Sequence, residues 1–177
     1  MDFTEKTISS KPIFAGRIIN VKLDTVLLPD GRQSTREIVQ HAEAVAIVAI
    51  DDKNNIYLVK QYRKPVEQAL LEVPAGILEP GEDILACAHR ELAEETGLRA
   101  KNMEKILSFY TAPGFTDEKI HIFAATNLSP GETNLDLDEF VETVMIPLEQ
   151  AYKMIADGEI IDGKSIIGIQ YAYNHMR

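Results

Sequence analysis

Glu91, Glu94 and Glu95 stand three and four positions apart, just ahead of Gly97. On a helix this spacing gathers three carboxylates within about a third of the circumference. Like charges so placed repel by roughly a few tenths of a kcal/mol per pair. They also fall in the last turn, with Gly97 at the C-cap position, where the helix dipole disfavours negative charge. Two local rules are broken at once, as expected where residues are kept for chemistry. A hard divalent cation resolves the conflict. Mg²⁺ or Mn²⁺ takes oxygen ligands in near-octahedral geometry and leaves positions for water and a substrate phosphate. Gly76 and Gly81 upstream permit tight backbone turns, from which a free carbonyl can add a ligand. A solvated acidic helix face is the plainer alternative.

The helix that must carry these glutamates is predicted over residues 83–96. Leu85, Ala88 and Leu92 share one of its faces, which the pattern sends to the core. Ahead of it, 44–50 is a nearly continuous apolar run, as in a strand buried on both faces. The 51–55 turn and the 56–62 strand make a hairpin with it, and 70–73 is a short strand leading into Pro74-Ala75-Gly76. Further strands are read at 106–110, 119–125 and 140–146, and helices at 148–156 and 165–175. The first forty residues differ. An Ile-, Val- and Leu-rich stretch (14–28), a Pro29-Asp30-Gly31-Arg32 turn and a returning strand (35–41) suggest an antiparallel unit of about three strands. Mixed strands and helices define an α/β or α+β class. The expected division is a small N-terminal β unit over 1–40 and a main domain over 41–177.

Bulk composition bounds the function. At 177 residues the chain can bury a core without disulfides, and its one cysteine, Cys87, excludes an internal one. There is no apolar signal core and no run of membrane-span length, which points to the cytoplasm. A net charge of −10 argues against nucleic-acid binding. It does not argue against a phosphate substrate, because bound metal reverses the local sign.

Gly76, Glu82 and the run Arg90-Glu91-Leu92-Ala93-Glu94-Glu95-Thr96-Gly97-Leu98 resemble the Nudix box at every fixed position. The resemblance implies a Nudix-type α/β/α sandwich whose loop–helix–loop binds two or three Mg²⁺ or Mn²⁺ ions. It assigns Glu91 and Glu95 as principal metal carboxylates, Glu94 as a further ligand and the Ala75 carbonyl as a backbone ligand. Arg90 resembles the arginine that holds the box glutamates. Glu82 falls to a supporting role. His89 and Cys87 sit at variable positions, read as surface and small packing residue respectively.

Outside the box the chain resembles the ADP-ribose pyrophosphatase branch of that family. Tyr110-Thr111-Ala112-Pro113-Gly114-Phe115-Thr116 carries a proline, Pro113, similar to one typical of that branch. Leu58-Val59-Lys60-Gln61-Tyr62-Arg63 and Thr35-Arg36-Glu37 resemble strands whose arginines reach substrate, and Arg forks match phosphate oxygens. Glu72, in Leu70-Leu71-Glu72-Val73-Pro74-Ala75-Gly76, resembles a glutamate that faces the nucleotide, with an ion pair to Arg63 as the alternative. By the same resemblance Glu139 is the general base, with Asp136 and Asp138 as neighbouring candidates. Glu118 is a second candidate for metal, base or substrate contact.

The implied reaction is metal-dependent hydrolysis of ADP-ribose to AMP and ribose 5-phosphate without a covalent intermediate. One rival is the same chemistry on another nucleotide sugar or dinucleotide. The other is a sensing module that binds ADP-ribose without cleaving it, against which every box carboxylate is present. The resemblance also implies a homodimer through the N-terminal β unit, with Arg36 serving the partner's site.

Overall fold

Ala44–Ile50 is apolar throughout and every one of its side chains is buried. A strand of that kind requires cover on both faces. The computed structural model describes residues 2–131 and 140–176. Its described chain falls into two compact units, Met1–Glu43 with Phe109–Lys119, and Ala44–Ser108 with Ile120–Arg177. The first unit thus takes in a later excursion of the chain, residues 109–119.

In the first unit, β1 (Lys6–Ala15), β2 (Ile19–Leu27) and β3 (Gln33–His41) form an antiparallel sheet in the order β1-β2-β3. The Gly16 N–H donates to the Ile19 carbonyl at 2.9 Å and closes the first turn. In the second, the Asp30 carboxylate accepts from the Arg32 N–H at 3.0 Å. Most of β1 lies ahead of the apolar stretch that marks the region in the sequence. It is an edge strand with every residue exposed, so it carries no burial alternation to read. Its edge position also tolerates Pro12, which has no N–H to give.

The second unit is built on a seven-stranded sheet. Its main path is β10-β5-β4-β9-β8, with β6 on β5 and β7 on β4. The ranges are β4 Ala44–Ile50, β5 Asn55–Arg63, β6 Gln68–Glu72, β7 Ala75–Ile77, β8 Leu98–Tyr110, β9 Lys119–Pro130 and β10 Val141–Pro147. The expected β4–β5 hairpin forms, but only Ala49↔Tyr57 and Ile50↔Ile56 pair across it. Beyond them the strands part. The start of β4 takes β7, with Ala46 opposite Ala75, while β5 takes β6, with Val59 opposite Glu72. The Pro74-Ala75-Gly76 run, readable only as a loop, is therefore partly a strand. β9 runs parallel to β4.

Helices cover the two faces. Cys87, Ala88 and Leu92 of α1 (Ile84–Thr96) pack with Val45, Ile47, Ala49, Phe123 and Ala125. On the other face α3 (Gly163–His175) approaches so closely that a Cβ on Gly168 would lie 2.6 Å from Val48 Cγ2. The layering is that of an α/β/α sandwich. Between β10 and α3, α2 (Leu148–Ala156) buries Leu148 and Ala151. One expected core residue is corrected: Leu85 is exposed, and Ile84 packs against the core in its place. The buried arc of α1 centres on Ala88 and Glu95, and Leu85 lies at its edge. No helix among the described residues is long and apolar enough to cross a membrane.

Candidate active site

Local chemistry sets both ends of α1. Asp83 caps the start, its carboxylate accepting from the Leu85 and Ala86 N–H groups at 2.9 and 3.2 Å. Gly97 closes the other end at φ 67°, its N–H on the Ala93 carbonyl at 2.9 Å. Between the caps the helix turns Glu91 and Glu95 toward β7 and the core, while Glu94 stays partly exposed. Glu95 lies inside the buried arc at 4% exposure. Its carboxylate accepts the Ala75 N–H at 3.0 Å, and its carbonyl accepts from Thr143 Oγ1 on β10 at 3.2 Å.

Glu91 lies against β7 at Gly76. A Cβ on Gly76 would fall 2.0 Å from the Glu91 carboxyl carbon, so only glycine leaves room for that carboxylate. Arg90 then ties the group together. Its Nε and Nη2 fork onto both oxygens of Glu82 at 2.9 and 2.8 Å. Its Nη1 reaches Glu91 at 2.7 Å and Glu94 at 3.0 Å. That fork holds the Glu82 carboxyl down at about 2, against its ordinary 4.5. The Arg90 guanidinium is correspondingly locked in its charged form. Beside it, burial pushes the Cys87 thiol up to about 12, and Cys87 packs in the core against the sheet. His89 is exposed.

Three carboxylates, Glu82, Glu91 and Glu94, thus gather around one guanidinium, with Glu95 beside them on the Ala75 N–H. Among the described residues no three acidic, His or Cys side chains close into a ready-made cage. The donor set is all hard oxygen, carries excess negative charge and is cradled on a glycine. This fits an ion such as Mg²⁺, which takes one or two carboxylates and keeps water and substrate oxygens for the rest. Glu91, Glu94, Glu95 and the Ala75 carbonyl are the groups able to hold it.

A second cluster forms where β5 and β6 end. Arg63 forks onto Glu72, Nε to Oε1 and Nη2 to Oε2, both at 2.8 Å. Glu72 is 1% exposed. Burial opposes its charge, but the Arg63 fork and the ammonium of Lys164 outweigh it and hold the carboxyl below its ordinary range. Lys164 also pairs with Asp162, the N-cap of α3, at 3.1 Å. The Ser165 hydroxyl donates to Asp162 and accepts the Val73 N–H at 2.8 Å, pinning the chain just ahead of Ala75. Gln61, two residues before Arg63 and on the same strand face, keeps its Oε1 buried with no hydrogen-bond partner among the described residues.

The expected residues therefore divide. Ala75, Glu82, Arg90, Glu91, Glu94 and Glu95 come together, and Arg63 meets Glu72 in the ion pair foreseen as the alternative. Arg36, Pro113 and Glu118 belong to the other compact unit. There Arg36 forks onto Glu5 at 2.8 and 2.5 Å, and Glu118 accepts from Thr111 Oγ1 at 2.7 Å. Glu139, Asp138 and Asp136 lie outside the described residues. Lys164, Asp162 and Ser165 were not anticipated. The one available signal was a lysine in the first turn of a helix, where a cation is disfavoured.

Residues 40–166 match the NUDIX domain model, and residues 5–39 match the nucleoside diphosphate sugar hydrolase N-terminal domain. The chain belongs to the Nudix family. It is 48% identical to a protein named ADP-ribose pyrophosphatase from Bacillus subtilis (strain 168), across 94% of this chain and 91% of that one. It is also 48% identical to one named methanol dehydrogenase activator from Bacillus methanolicus, across 96% and 92%. A solved structure described as an ADP compounds hydrolase superposes with a TM-score of 0.88 at 22% identity, covering 98% of this chain and 95% of that one, and shares the fold.

Proposed function

We propose that this protein is a divalent-metal-dependent hydrolase that cleaves the diphosphate linkage of ADP-ribose to AMP and ribose 5-phosphate. The observation that carries the reading is the placement of Glu91 on Gly76 and of Glu95 on the Ala75 N–H, in the unit where Arg63 of β5 forks onto Glu72 of β6. The relative named ADP-ribose pyrophosphatase supports the substrate, since its match spans nearly the whole of both chains.

Glu91, Glu94, Glu95 and the Ala75 carbonyl hold the cation, Mg²⁺ or Mn²⁺, at two or three per site. Bound there, it neutralises the diphosphate and lowers the pKa of water. Arg90 orients the glutamates through its paired forks. Arg63, held by its fork onto Glu72, grips the substrate, and Glu139 takes the proton from the attacking water. Water adds across the P–O–P bridge: one phosphorus gains the hydroxyl and the other keeps the bridging oxygen. Replacing Glu139 by Gln should lower kcat with little change in affinity. Collapse of affinity at unchanged kcat would move Glu139 to a binding role.

The N-terminal unit serves a homodimer. β1 supports this, because its exposed edge carries Ile8, Ile13 and Phe14. A monomer in sedimentation would remove it. The reading places the enzyme in the cytoplasm, where nucleotide substrates are met. A second reading, another nucleoside diphosphate sugar, is favoured by the match of residues 5–39. One assay separates them: ADP-ribose, nucleotide sugars, NADH and diadenosine polyphosphates are incubated with Mg²⁺ and the products weighed. AMP and ribose 5-phosphate, formed fastest from ADP-ribose, are expected. Preference for a different sugar selects the second reading, and no cleavage of any member overturns both.

A further inference from the structure

Lys164 occupies a costly position. It sits in the first turn of α3, where the helix dipole repels a cation, and its side chain is only 11% exposed. Ordering and desolvating a lysine there opposes folding unless its partners offset both costs. Those partners are Asp162 and, from 92 residues away in the chain, the buried Oε2 of Glu72. Asp162 alone does not explain the arrangement, because its carboxylate already serves the Ser165 N–H and hydroxyl.

The other side of Glu72 supplies the explanation. Arg63 commits Nε and Nη2 to that carboxylate, while Nη1 makes no hydrogen bond among the described residues, the guanidinium also feels the charges of Glu95 and Asp162, and the side chain is 39% exposed. Were Arg63 the sole cation on Glu72, the pair would close on itself and the guanidinium would offer little net charge outward. Lys164 approaches from the enclosed side and shares Oε2 with Arg63 Nη2. It offsets the carboxylate from within and fixes its plane, so the Arg63 fork is held with Nη1 outward.

We propose that Lys164 is a positioning residue for substrate: it holds Glu72 from the buried side so that Arg63 presents Nη1 and its charge to a phosphate of the nucleoside diphosphate. This rests on the functional reading above, with Arg63 as a phosphate contact.

The test compares wild type, K164M, K164Q and K164R by steady-state kinetics with ADP-ribose and saturating Mg²⁺, alongside circular dichroism and thermal melting. K164M and K164Q should raise KM about tenfold with kcat within about threefold, the pattern of lost binding rather than lost chemistry. K164R, which keeps the charge, should return KM to within about threefold of wild type. A merely structural lysine would lower the melting temperature and leave KM alone. Folded K164Q or K164M with wild-type KM overturns the proposal, as does a folded K164R no better than K164Q. Should K164M fail to fold, K164Q and K164R decide. Wild-type enzyme that cleaves no nucleoside diphosphate overturns the functional reading itself. Active wild type with an unaltered KM in the variants overturns only this inference.

Discussion

The Glu91 carboxylate fills the space that a side chain on residue 76 would take: a Cβ on Gly76 would meet its carbon and one oxygen at 2.0 Å. The contact is with the far end of a flexible side chain, so an added methyl displaces Glu91 rather than the strand. Gly76→Ala should therefore cost little stability, about 1 kcal/mol. It should lower activity by on the order of a hundredfold, because a metal carboxylate is moved. Kinetics and a melting curve on the same preparation check this. A large loss of melting temperature would show that β7 has yielded instead.

Glu95→Gln separates charge from shape. Glutamine keeps an oxygen able to accept the Ala75 N–H, so the buried contact and the fold should persist. The negative charge is lost, and with it a hard oxygen ligand. Activity should fall by on the order of a hundredfold or more while circular dichroism is unchanged. Wild-type rate in this variant at saturating Mg²⁺ would refute the metal assignment.

Glu82 supplies a pH signature. Its folded carboxyl is held at about 2 against an ordinary 4.5, first by the Arg90 fork. A depressed carboxyl stabilises the fold above the unfolded value and loses that contribution as pH falls through the folded one. The melting-temperature gap between wild type and Glu82→Gln should be constant above about pH 5 and close between about pH 4.5 and 2. A gap that persists undiminished at the acid end would mean that the pair contributes through packing alone.

What was legible depended on how local its cause is. Asp83, Gly97 and the Glu91, Glu94 and Glu95 spacing act within one helix, so α1, its C-cap and its carboxylates could be read from residue types. Leu85 misled because helical periodicity fixes which residues share a face, not where the covering sheet ends. β7 was illegible because three residues become a strand only by pairing with β4. The Glu72 partners divide the same way. Arg63 lies nine residues off, on the neighbouring strand, and could be guessed, whereas Lys164 lies 92 residues away. No spacing rule connects a first-turn lysine to that carboxylate. β1 escaped because none of its residues is buried.

Ser165 extends that long-range connection to the backbone. It is fully buried, and its hydroxyl is the acceptor for the Val73 N–H while donating to the N-cap Asp162. Pro74 follows, with its carbonyl taken by the Ile47 N–H at 2.8 Å, and Ala75 comes next. Ser165→Ala would leave the buried Val73 N–H without its acceptor, at a cost of about 1–3 kcal/mol. For a chain of this size that lowers the melting temperature by about 2–4 °C per kcal/mol. The slack should also reach the Ala75 carbonyl two residues on, raising the Mg²⁺ concentration for half-maximal rate. Ser165→Thr, which keeps the hydroxyl, should retain more of the metal response than alanine even if its extra methyl costs stability. Equal Mg²⁺ requirement in wild type and Ser165→Ala, with the melting temperature lowered, would confine Ser165 to the fold and disconnect it from the metal site.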